Sequence, residues 1–132
     1  MCYTFSMDKN EKYQYWLDAA EYDLETAEAM YASSRWLYVA FMCQQAIEKL
    51  AKGLYILYLD DNVPRIHNIR QIVNRYSGML REDVPNQHYS LFDKLASYYI
   101  EGRYPEYREK LSTLIARDEA ETILIETKEA FS

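Results

Sequence analysis

The sequence predicts an all-α protein: an antiparallel bundle of four or five helices in a single domain. Three observations predict it. Apolar residues recur at i, i+3, i+4 and i+7 through several long segments, and no segment sustains the alternation of a strand. The longest such segment, residues 34–59, is apolar nearly all round. The chain has 132 residues, of which 49% are apolar and 27% charged, which suits one soluble domain around one core.

Residues 1–9 read as a loose arm. The first helix is expected over residues 10–31, where Tyr13, Trp16, Leu17, Ala20, Leu24, Ala27 and Tyr31 form one apolar stripe. Lys12, Asp18, Glu21, Glu25 and Glu28 lie opposite and read as a solvated face. Ser33 and Ser34 follow, and either can cap the next helix. So short a link makes the first two helices antiparallel neighbours.

Residues 34–59 read as the hub. Leu37, Ala40, Phe41, Gln44, Ile47, Glu48, Ala51, Leu54, Tyr55 and Tyr58 share one side, while Val39, Met42, Cys43, Ala46, Leu50, Gly53 and Leu57 make the other side apolar too. Tyr38, Gln45, Lys49 and Lys52 form a polar strip between them. A helix of this kind is covered on most sides. Gln44 and Glu48 lie one turn apart on an apolar face, so burial obliges both to find partners.

Pro64 ends the hub region by keeping the residue before it out of helical geometry. Ile66, Ile69, Val73, Tyr76 and Leu80 predict a third helix with Asn68 as its N-cap, weakened at its end by Gly78. Residues 81–87 are a polar connector, and residues 88–101 a fourth helix that buries Leu91, Leu95 and Tyr98. Gly102 and Pro105 break the chain, and residues 106–117 fit either a loop or a short helical turn. Asp118 with Glu121 resembles a capping box ahead of a last helix built on Ala120, Ile123, Leu124, Thr127 and Phe131. The pattern is still helical at Phe131, so the expectation is a chain that continues.

The net charge is −6, which argues against broad, nonspecific binding to nucleic acid or to an anionic membrane but leaves room for one local basic site. Cys2 and Cys43 form no Cys-x-x-Cys pair, which points to a reducing, cytoplasmic setting. The N-terminus lacks a signal-peptide core, and no apolar run is long enough to span a membrane. With two histidines and few thiols, neither a metal nor another cofactor is expected. The composition includes fourteen Tyr beside four Phe, which fits Tyr-rich core edges or the wet crevices of subunit interfaces.

Four motifs resemble the HEPN family (higher eukaryotes and prokaryotes nucleotide-binding). They are Trp16-Leu17-Asp18-Ala19-Ala20 with Tyr22-Asp23-Leu24 and Ala27; the hub run from Tyr38 through Gln44-Gln45-Ala46-Ile47-Glu48-Lys49 to Lys52; Pro64-x-x-His67-Asn68-Ile69; and Gly102-Arg103-Tyr104-Pro105. Their order and spacing cover nearly the whole chain. The resemblance implies a HEPN-like bundle that dimerises, here a homodimer. It also implies a bacterial protein of the kind that pairs with a minimal nucleotidyltransferase, commonly as toxin and antitoxin. Some members are metal-independent ribonucleases that use an Arg and a His a few residues apart.

Two candidate sites follow. Arg81 and His88, separated by six residues, fit the ribonuclease spacing. A histidine near neutral pKa can take the proton from a ribose 2′-OH, and an arginine can stabilise charge on the phosphate. Gln44, Lys52, His67 and Arg103 form the second, a set able to line a crevice for the phosphate of a nucleotide or RNA. Glu48 and Tyr104 read as its structural polar network, with Glu48 an obvious partner for Arg103. The function expected is a non-catalytic binding module for a nucleotide-type ligand, a nucleotidyltransferase partner, or both. The alternative is a ribonuclease toxin acting through Arg81 and His88.

Overall fold

The computed structural model describes residues 8–60, 62–80, 83–101 and 115–131. Among these, five α-helices run in the order α1 (Lys9–Ala32), α2 (Trp36–Tyr58), α3 (Ile69–Tyr76), α4 (Asn86–Glu101) and α5 (Arg117–Phe131), with a 3₁₀ turn at Ser77–Met79 after α3. No strand occurs among the described residues.

The first helix starts earlier than its apolar stripe suggests. Asp8 caps it by accepting from the Glu11 amide at 2.8 Å, and Lys9 Nζ donates to the Leu59 carbonyl at 3.0 Å, so the end of the expected arm is part of the bundle. The cap lies outside the apolar periodicity, which is why periodicity alone places the start later.

The α1–α2 link also differs from expectation. No side chain caps α2, so neither Ser33 nor Ser34 acts there. Instead Ser34 takes φ 60°, its amide donates to Tyr31 O at 3.1 Å, and the Arg35 amide donates to Met30 O at 2.8 Å. This pair of bonds is a Schellman motif closing α1, and it puts a non-glycine residue in the left-handed region. The reversal is tight enough that α1 packs along most of α2.

At the start of α3, Asn68 Oδ1 accepts from the Gln71 amide at 3.0 Å, the cap expected there. The helix covers fewer residues than its apolar spacing suggests, because the chain tightens into the 3₁₀ turn at Ser77, next to Gly78. Asp118 lies inside the first turn of α5 rather than at its cap, so the capping-box expectation does not hold. Its charge still complements the helix dipole there.

α2 touches every other helix among the described residues, as the hub reading requires. Val39, Cys43 and Ile47 are buried together with Ile69, Ile72, Leu91, Leu95, Ala120 and Ile123 in one core. Burying each large aliphatic chain contributes roughly 1.5–3 kcal/mol. Ion pairs stitch the helices across their edges: Arg70–Asp93 at 3.0 Å, Lys94–Glu119 at 2.9 Å and Lys128–Glu28 at 2.6 Å. Solvent-exposed pairs of this type each contribute under about 1 kcal/mol. The Lys49–Asp23 pair, at 2.6 Å, is different, because the Asp23 side chain is only 8% exposed.

Cys43 sits in this core beside Thr127. Burial is the largest influence on its thiol, and pushes it up from 9.0 to about 11 against the smaller opposing effects of Thr127 and Lys128. A rise of this size leaves about 100-fold less thiolate at a given alkaline pH. Iodoacetamide at pH 8 should therefore modify Cys43 far more slowly in the folded protein than in urea, read by peptide mass mapping; equal rates would mean that the core opens freely. The linkage has a definite sign. The folded state holds the thiol proton more tightly than the unfolded chain, so this contribution to stability is intact below about pH 9 and is lost as pH rises towards 11.

Candidate functional site

The site begins with spacing on α2. Gln44, Glu48 and Lys52 are four residues apart, so they form one line along the helix. That line meets the non-helical connector between α2 and α3. Gln44 is buried, and its Nε2 donates to the His67 carbonyl at 3.1 Å. The Glu48 carboxylate is 15% exposed and lies between two donors: Lys52 Nζ at 3.1 Å and His67 Nδ1 at 3.1 Å. A carboxylate only accepts, so Nδ1 carries the proton in this contact. Asn68 then caps α3 one residue on, and the connector is held at both its carbonyl and its side chain.

Two adjoining grooves open beside this cluster. One, of about 420 Å³, is lined by Trp16, Lys52, Val63, Pro64, Arg65 and His67. The other, of about 480 Å³, shares Trp16, Val63 and Arg65 and adds Lys12, Tyr15, Ile56 and Asn62. Trp16 comes from α1, and the Tyr15 ring meets it edge to face at 6.5 Å. Tyr15 is 64% exposed. Arg65 is exposed and has no hydrogen-bond or ion-pair partner among the described residues. This corner thus concentrates cationic side chains and aromatic surface on a protein whose net charge is negative.

The fold therefore brings together Gln44, Glu48, Lys52 and His67. Arg103 and Tyr104 lie outside the described residues, as does the expected Glu48–Arg103 pair; the partners described for Glu48 are Lys52 and His67. Arg81 also lies outside them. His88 lies in the first turn of α4 and lines two further grooves, one with Lys94, Glu126 and Glu129, the other with Asp83 and Glu129. Neither has a lining residue in common with the corner grooves. No group of three His, Cys, Asp or Glu among the described residues is placed to hold a metal ion. No helix among them is long and apolar enough to cross a membrane.

The HEPN domain model matches residues 13–132. The chain belongs to the HEPN family. The match begins in α1 and takes in the hub, the connector bearing His67 and the three helices α3, α4 and α5. No curated protein and no solved structure matches the chain. Within this HEPN domain the corner includes residues absent from the sequence-based set, among them Trp16, Tyr15 and Arg65. Trp16 belongs to an apolar stripe and reads as core, and Arg65 stands alone in a connector. The signal that could have marked Arg65 is its position between Pro64 and the residue bound by Glu48.

Proposed function

We propose that this HEPN domain is a non-catalytic binding module that takes a nucleotide-type ligand in the corner between α1, α2 and the connector. The observation that carries the reading is Arg65: an exposed guanidinium with no hydrogen-bond or ion-pair partner among the described residues, lining both grooves with Trp16 and one of them with Lys52. A guanidinium offers a planar fork to phosphate, and an indole offers a face to a base. Lys52 is partly neutralised by Glu48, so Arg65 is the principal anion contact.

Isothermal titration of the purified protein with AMP and ATP tests this. The expected result is saturable binding, weakened about tenfold by Arg65→Ala, which matches the loss of one hydrogen bond to a charged group. Because Arg65 is exposed and has no partner among the described residues, the variant should unfold like the wild type. Binding unaffected by the substitution, or absent at millimolar ligand, would overturn the proposal.

The ribonuclease alternative puts chemistry at His88. The described surroundings of His88 include Asp83, Glu126 and Glu129, while the nearby Lys94 is engaged with Glu119. Carboxylates in that number disfavour a phosphodiester, so we favour the corner. RNA cleavage in EDTA that is lost in both Arg81→Ala and His88→Ala would reverse the choice. The homodimer and the pairing with a nucleotidyltransferase remain part of the proposal, and sedimentation velocity, alone and with the candidate partner, reads both.

A further inference from the structure

We propose that the corner binds a ligand made of two nucleoside units joined through phosphate, rather than a single nucleotide. This rests on the nucleotide-binding reading above and deepens it.

The corner is a two-part site. Its grooves, about 480 Å³ and about 420 Å³, are each large enough for one small ligand unit. They are contiguous and share Trp16, Val63 and Arg65. Each has its own aromatic or apolar surface and its own cation. On one side these are Tyr15 and Lys12, on the other Pro64 and Lys52; both lysines are already engaged within the protein and add positive field rather than a free ammonium. The shared cation is Arg65, at the junction. A single nucleotide would occupy one groove and leave the other's stacking surface unused. A ligand with two bases has its bridging phosphate where the two grooves meet, beside the Arg65 guanidinium, which has no hydrogen-bond or ion-pair partner among the described residues.

The whole chain carries −6, and acidic residues neighbour the corner in sequence: Asp18 and Glu21 follow Trp16 on α1, and Asp60 precedes the connector. A long strand gains little from so acidic a protein, which favours a short ligand.

Two sources supply this chemistry: two consecutive nucleotides of a single strand, or a free dinucleotide linked through a polyphosphate. The test uses one probe of each kind, adenylyl-3′,5′-adenosine and diadenosine triphosphate, beside AMP, by isothermal titration on the full chain. Base–aromatic stacking is strong enough that a second base should tighten binding about tenfold over AMP for at least one probe. Tyr15→Ala, at an exposed position, should erase that advantage, while Arg65→Ala should weaken all three ligands. Preference for the first probe identifies a strand segment and preference for the second a free dinucleotide; either supports the inference. Equal affinity for AMP and both probes overturns it and leaves the nucleotide-binding reading standing. An advantage that survives Tyr15→Ala overturns it as well. Failure of all three ligands to bind overturns both.

Discussion

Gly53→Leu should lower the unfolding free energy by at least about 3 kcal/mol, at the upper end of what overpacking costs. Gly53 sits in mid-helix on α2, where glycine is worse than alanine by roughly 1 kcal/mol. The reason for its presence is the crossing with α1. A Cβ built at this position would lie 2.9 Å from Trp16 Cβ and 3.4 Å from Tyr13 Cδ1. Trp16 Cβ is fixed to the α1 backbone and cannot swing aside, so any side chain here separates the two helices.

The consequence reaches beyond stability, because Trp16 also lines both corner grooves. Gly53→Ala is the graded version: its helix propensity gains about 1 kcal/mol and its clash costs more, for a net loss of roughly 1 kcal/mol. Urea unfolding followed by circular dichroism measures both variants. An alanine variant more stable than the wild type would show that the crossing is loose and that Trp16 is not held by it.

Asp23→Ala should cost about 2 kcal/mol, and Lys49→Met about 3 kcal/mol, both from the rule that breaking a buried pair strands its partner. The asymmetry comes from exposure. The Asp23 side chain is 8% exposed and that of Lys49 is 33% exposed, with 2.6 Å between them. Once Asp23 is removed, the lysine can extend its ammonium to water. Once Lys49 is removed, the carboxylate stays buried with its charge uncompensated. The double variant Asp23→Leu/Lys49→Met should recover most of the loss, since two apolar chains need no charge compensation. For a chain of this length each kcal/mol moves the midpoint by roughly 3–5 °C, so thermal melts resolve all three variants. Additive losses in the double variant would mean that the two residues act separately.

These two positions also mark the boundary between what was legible and what was not. The helices followed from local pattern: the stripe on α1, the apolar surround of α2 and the Asn68 cap of α3 depend on neighbours a few residues apart. The need of Gln44 and Glu48 for partners was legible too, because a polar group on an apolar face implies one. The motifs through the hub and around His67 carried the family.

The identity of those partners was not legible. Glu48 meets His67 across 19 residues and Gln44 meets the His67 carbonyl across 23, distances in sequence that no period measures. Asp23 belongs to neither the apolar stripe nor the solvated face read on α1; only the packing of α2 against α1 buries it against Lys49. Arg65 has no local pattern, and the two grooves it lines are made by α1, α2 and the connector together.

The sequence by itself determined the helices, the hub and the HEPN membership, because these rest on residue periodicity and motif order along the chain. Only the tertiary structure decided which polar groups pair, where Gly53 lets α1 close on α2, and that Tyr15, Trp16, Lys52 and Arg65 share one corner. Those depend on which faces meet in space, and the packing of the whole core sets that.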